Sequence, residues 1–329
     1  MHAPSSHAGP RRALVAIVAV PVVLALAILT FAWPSANLAP RDLPLGVAGP
    51  AGLTQPVEDR LAEHAGAFEV HHYADEAAAR EAIEDREVYG AVVASPEGPR
   101  VLTASGASPL VSGLLGQALA PPAGPAGGAI VTDVAPADPD DPRGSAFGSL
   151  VLPLVLASVI AGVIVSVLGR PGLLQVAAIA GAAIGAALVA AAMVQGWLGV
   201  IEGDWLLNAG VLALTVTAVA SLLAGLNALL GHAGLAIGAV LMILVGNPWS
   251  GVSSAPELLP EGVGATGQLL PPGAGGSLLR STAFFDGGGA VEPLAVLLAW
   301  TAIGLGMVGA GWLLRRRRAV ATEPVPAGA

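Results

Sequence analysis

Along the 329 residues, long uninterrupted apolar runs bracket one extended stretch of mixed polarity. A bilayer core about 30 Å thick requires about 20 apolar residues at about 1.5 Å rise each, and a helix satisfies its own backbone there. Six runs meet or approach that length, at residues 13–33, 147–168, 173–195, 206–230, 234–249 and 291–314. The fifth is the shortest, and is expected to borrow from the turn around Gly231 and His232 or to cross with little tilt.

Residues 34–146 follow a different rhythm, with apolar positions that alternate or recur at helical spacing. Strands are predicted at 43–48, 68–73, 90–95 and 100–104, with a further one at 130–134. A helix at 54–63 joins the first two and ends at Gly66. Asp75 caps a second, in which Glu76, Arg80 and Glu84 stand at i, i+4 spacing, and a third covers 109–119. The leading alternation of strand and helix predicts parallel pairing with right-handed crossovers. The Pro- and Gly-rich residues 121–128 read as a linker, and the acidic run 138–141 leads into the second apolar run. The expected architecture is an α-helical polytopic membrane protein of six transmembrane helices, with a small α/β extracytoplasmic domain inserted between helices 1 and 2.

Composition agrees: 54% of residues are hydrophobic, 11% are charged and the mean hydropathy is +0.74. Cysteine is absent, which excludes thiol nucleophiles and Cys-ligated metals, and all 14 basic residues are arginine, which excludes lysine-dependent phosphate loops and Schiff bases. The arginines also set orientation, because basic flanks stay in the cytoplasm. Arg11 and Arg12 precede the first run, Arg315, Arg316, Arg317 and Arg318 follow the last, and Arg170 lies in the tight turn 169–172. Both termini are thereby expected to face the cytoplasm of a cell-membrane protein. Residues 34–146, with 6 Arg against 16 acids, lie outside. A cleaved signal peptide competes for the first run, but the run exceeds the usual apolar segment of about 7–15 residues and no A-x-A site follows, so an uncleaved anchor is expected.

Candidate chemistry is sparse. His64 and the adjacent His71 and His72 cluster in sequence, but neighbours in a strand point to opposite faces, so a solvated surface is expected rather than a metal site. No nucleophile, base and orienting group occur together, which argues against an enzyme and gives no cofactor to expect. The cores of the spans hold no Asp, Glu, Lys or Arg, and hence no ion relay. They do hold small residues at helical spacing, Ser158, Gly162 and Ser166 in the second run and Gly181 with Gly185 in the third, which are candidates for close helix packing; the competing reading is a merely Gly- and Ala-rich composition. The outside segment 250–290, with Asn247, Pro248 and Trp249 before it, is broken by Pro256, Pro260 and Pro271 into pieces too short to cross, expected as interfacial or re-entrant elements. Its lone basic residue, Arg280, is expected to pair with Glu257, Glu261 or Asp286, lipid headgroups being the alternative.

One span, an outside α/β domain, the acidic Asp141-Pro142 step with Gly144 and five further spans together resemble the ABC-2 type transporter permease family, in its branch related to YhgE and the phage infection protein Pip. The segments Asn247-Pro248-Trp249-Ser250, Pro256-Glu257-Leu258-Leu259-Pro260, Leu270-Pro271-Pro272-Gly273-Ala274 and Leu279-Arg280-Ser281, followed by Phe284-Phe285, are similar to the segment before that family's last helix. The resemblance implies a six-helix exporter subunit for a substrate left unidentified, an amphipathic or lipid-like molecule being one option. It implies a homo- or heterodimer with another permease, powered by a separate cytoplasmic ABC ATPase, since this chain holds no nucleotide motif. The alternative is a non-transporting surface protein whose outside domain binds a partner, phage or secretion component. The bilayer is an expected partner in either case and nucleic acid in neither.

Overall fold

The computed structural model describes residues 8–96, 98–119, 130–169 and 171–321. Arg170, the linker 121–128 and the side chains of Arg11 and Arg12 lie outside the described residues.

Helix α1 (Ala8–Ala36) leads into strand β1 (Leu43–Ala48), followed by α2 (Ala51–Ala62), β2 (Phe68–Tyr73), α3 (Glu76–Glu84), β3 (Gly90–Val93), β4 (Arg100–Thr103), α4 (Pro109–Leu119) and β5 (Ile130–Asp133). The five strands form one sheet in the order β2-β1-β3-β4-β5. The two βαβ units pair parallel, as strand–helix–strand alternation dictates. The short turn after β3 makes the β3–β4 pair antiparallel, and β5 returns parallel to β4. Asp75 starts α3 by accepting a hydrogen bond from the Ala78 amide at 3.0 Å.

The apolar helices follow: α5 (Ser145–Ser149) running into α6 (Val151–Leu168), α7 (Leu173–Ala191), α8 (Trp205–Leu230), α9 (His232–Val240), α10 (Val263–Gln268), α11 (Pro271–Phe284) and α12 (Val291–Ala321). Among the described residues, five helical stretches are long and apolar enough to cross a membrane: α1, α5–α6, α7 with its extension, α8 and α12. Only 6% of the α1 window is buried, and Leu14, Ile17, Val18 and Val20 are bare. So large a bare apolar surface calls for non-aqueous surroundings.

The fifth run departs from its predicted length. Its nine α-helical residues continue for six π-helical ones, ending at Gly246. At about 1.5 Å per residue this stretch is shorter than a hydrocarbon core of about 30 Å. The chain turns at Asn247, and Pro248 cannot extend the ladder, so Trp249 belongs to the turn rather than the helix. A second π-helical turn, Ala192–Trp197, extends α7.

Helix α8 is the hub, with 72% of its apolar window buried. Its closest neighbour is α12, and glycines set that approach: a Cβ at Gly304 would stand 2.5 Å from the Ser221 backbone, and one at Gly225 would stand 2.6 Å from Met307 Cβ. Gly162 does the same on α6, where a Cβ would meet Leu223 and Ala220 of α8. Ser158 and Ser166 are buried beside it, their hydroxyls donating to the carbonyls of Leu154 and Gly162 one turn back in their own helix. Gly181 and Gly185 have no neighbour within 4 Å of where a Cβ would stand, so they bring no helix of this chain close.

Overpacking a seam of this kind costs about 1–3 kcal/mol. Gly304→Ala is therefore expected to lower the thermal midpoint of the detergent-purified protein, whereas Gly181→Ala, at an open helical position, should leave it unchanged or raise it. Scanning fluorimetry on the two variants checks the contrast.

Candidate functional site

The segment between α9 and α12, expected as short interfacial or re-entrant elements, forms short helical pieces, most of whose residues are buried against the rest of the chain. Pro271 and Pro272 occupy the first turn of α11, where a missing N–H costs nothing, so they start a helix rather than break one. Small residues let that helix sink between its neighbours: Gly275 faces Thr215 of α8, and Gly276 faces Val252. Polar ties fix its register. Thr282 Oγ1 donates to Asn208 Oδ1 at 2.7 Å, and Asn208 Nδ2 donates to the Gln195 side chain and the Glu202 carbonyl. Ser277 Oγ donates to Gln268 Oε1, whose amide donates to the Ser250 carbonyl, and Trp300 Nε1 of α12 reaches the Leu269 carbonyl.

The α/β domain closes over this wedge from the other side. Leu258 and Ala255 join Leu43, Leu45, Leu61, Val111 and Leu115 in one apolar cluster, and Phe284 and Phe285 join a second with Ala107, Ala135 and Ile83. Arg41 Nη1 donates to the carbonyls of Leu258 and Leu259 at 3.0 and 2.8 Å, while its Nη2 holds Asn37 at the end of α1. Tyr89 Oη donates to Glu257 Oε2 at 2.8 Å. Arg86, just past α3, sends Nη1 to the Ser277 carbonyl at 2.8 Å and the Ser281 hydroxyl at 2.6 Å.

Between domain and wedge lies a cavity of about 560 Å³, lined by Arg41, Asp42, Arg86, Tyr89, Glu257 and Arg280 among others. Two of its lining residues, Asp42 (φ 47°) and Arg86 (φ 61°), hold a left-handed backbone that side chains disfavour. Strain of this kind, about 1–3 kcal/mol per residue, persists where the surroundings over-determine it and concentrates at ligand sites.

Arg280 is 5% exposed and makes no ion pair with Glu257, Glu261 or Asp286. Glu257 is engaged by Tyr89, and Glu261 and Asp286 stand exposed to solvent. Its guanidinium sits 4.6 Å from the centre of the Phe147 ring and Nη2 donates to the Val252 carbonyl at 3.0 Å, while the buried Nε finds no acceptor. Burial, and then the neighbouring charge of Arg86, pushes Arg280 down to about 10, so it stays charged at neutral pH. Burial likewise lowers Arg86 and raises Tyr89, whose phenol is further held neutral by Glu257.

Of the residues singled out in the segment, Pro256, Pro260 and Arg280 line the cavity, while Asn247, Pro248, Trp249 and Pro271 do not. Arg86 and Tyr89 were not singled out. Their neighbours Glu84, Asp85 and Glu87 mark an exposed stretch, and no local pattern announces contacts made 168 and 191 residues away. Arg315–Arg318 lie exposed on the last turns of α12, with Arg316 stacked on Trp312. No group of three potential metal ligands occurs among the described residues.

Protein-family models, curated proteins and solved structures were all compared with the chain, and none matches it.

Hydrogen bonds from a charged donor contribute about 1.5–3 kcal/mol each. Arg41→Met is expected to destabilise the protein within that range and to release the Leu258 segment from the domain. Hydrogen exchange at 256–260 should accelerate while exchange in α8 stays slow.

Proposed function

We propose that this chain is a six-span subunit of an ABC-2 type exporter. In this reading α9 with its π-helical turn is the fifth of six crossings, residues 34–146 face the exterior and both tails face the cytoplasm of the cell membrane. A second permease, identical or related, pairs with it. A separate ATPase supplies the energy, since neither the composition nor the cytoplasmic segments hold a nucleotide site.

The observation that carries the reading is the lock between the α/β domain and α11. A binding module on a tether would need no such connection. Here Arg41, Arg86 and Tyr89 bind the domain to a wedge that itself packs on α8 and α12, so a shift of the spans alters the cavity walls directly. Alternating between two arrangements of such a unit is how a partner's ATP hydrolysis would be converted into a change of affinity for cargo. The two π-helical turns, at the ends of α7 and α9 that flank the wedge, are the kind of irregularity found where helices serve function.

Reporter fusions after Gly128 and Gly264 are expected to read as exterior, and those after Gly172 and Arg318 as cytoplasmic. Purification from the native membrane should bring down an ATP-binding subunit whose hydrolysis responds to cargo. Absence of any such subunit would overturn the exporter reading and leave the topology standing, whereas a cytoplasmic signal after Gly128 would overturn both.

A further inference from the structure

Two cations in the cavity wall lack a carboxylate in direct contact, although acids stand elsewhere in the lining. Arg86 and Arg280 both line the cavity, and no carboxylate lies within ion-pair distance of either among the described residues. Burial makes such charges costly unless something compensates them. Their direct contacts are neutral oxygens and two aromatic faces, Phe285 under Arg86 at 5.5 Å and Phe147 under Arg280 at 4.6 Å, while Glu257 offsets part of the Arg86 charge from beyond ion-pair distance. Arg86 spends Nη1 on Ser277 and Ser281, Arg280 spends Nη2 on Val252, and the buried Nε of Arg280 has no acceptor.

We propose that the cavity binds the phosphate group of an amphiphile, held between the guanidinium groups of Arg86 and Arg280. Planar guanidinium forks match phosphate oxygens in pairs, and an anion placed between two repelling cations relieves the repulsion and gives the orphaned Nε of Arg280 an acceptor. The acids in the lining narrow the choice of ligand. Glu257, which keeps its charge while accepting from Tyr89, together with Asp42, Glu87, Glu261 and Glu292 would repel a bare anion and favour a headgroup that carries an amine beyond its phosphate. An apolar tail has a place as well, because Pro293 and Val296 in the lining belong to the first turns of α12, a helix apolar enough to cross the bilayer. That such a molecule is cargo rests on the exporter reading; that it binds does not.

Thermal unfolding of the full chain in neutral detergent tests the site directly, with short-chain phosphatidylethanolamine, short-chain phosphatidylglycerol and inorganic phosphate as probes. The expected result is a saturable rise in midpoint, largest for phosphatidylethanolamine and smallest for inorganic phosphate. In Arg280→Met and Arg86→Gln the affinity should fall about tenfold or more, the loss of one charge-assisted contact. Without ligand, Arg280→Met should unfold close to the wild-type midpoint, because an apolar chain of similar length replaces an uncompensated charge. A residue that merely props up the fold would instead lower it. No saturable shift with any probe, or shifts that survive both substitutions, would overturn the proposal. Inorganic phosphate matching the lipids would reassign the site to free phosphate and remove the amphiphile. Should Arg280→Met fail to fold, Arg86→Gln and the wild-type titrations still decide. Because the measurement needs no ATPase, its failure is distinct from failure of the exporter reading.

Discussion

Helix α11 must be buried on two sides at once, and the arrangement of everything around it follows from that. On one side it meets α8 and α12, apolar helices that offer few polar partners. On the other it meets a small soluble-type domain with a conventional sheet core. A helix in that position needs a thin profile and a few fixed polar ties. The glycines at 273, 275 and 276 give the first, and Ser277, Ser281 and Thr282 give the second. Burying Arg280 in the same helix runs against this economy, which is why that residue carries chemical meaning beyond packing.

Local features were the legible ones. The strand–helix–strand rhythm of residues 43–93, the Asp75 cap and the long apolar runs all rest on periodicity or on contacts within a few residues, and the structure realises the first two and five of the six runs as helices long enough to cross. The linker and Arg170 lie outside the described residues. The site was largely illegible, because its geometry joins a stretch after α3 to a helix nearly 200 residues later. A Pro-Pro pair reads as a break in one context and as a first helical turn in another, and only the neighbours of Leu270 distinguish them. Arg280 was expected to find a carboxylate because three stand nearby in sequence. One of those is taken by Tyr89, and the other two point into solvent.

Small residues along the spans likewise divide by environment rather than by pattern. Gly162, Gly225 and Gly304 bring backbones together around α8, and their side of each helix could not accept a larger residue. The spacing of Gly181 and Gly185 is the same as that of a packing stripe, but the helix face they share looks away from the bundle. Spacing alone therefore cannot assign a partner; the Cβ direction does.

The brevity of α9 has a consequence for its surroundings. On the six-span reading, a crossing this short obliges the two leaflets to pinch inward beside it, since lipid thins to match a helix that cannot lengthen. Gly246, where that helix ends, touches Pro272 at the start of α11. The dimple would therefore form against the wedge itself and lower the headgroup layer toward the wedge's first turn. On that reading a thicker bilayer would load the junction between this short crossing and the wedge, where Gly246 meets Pro272.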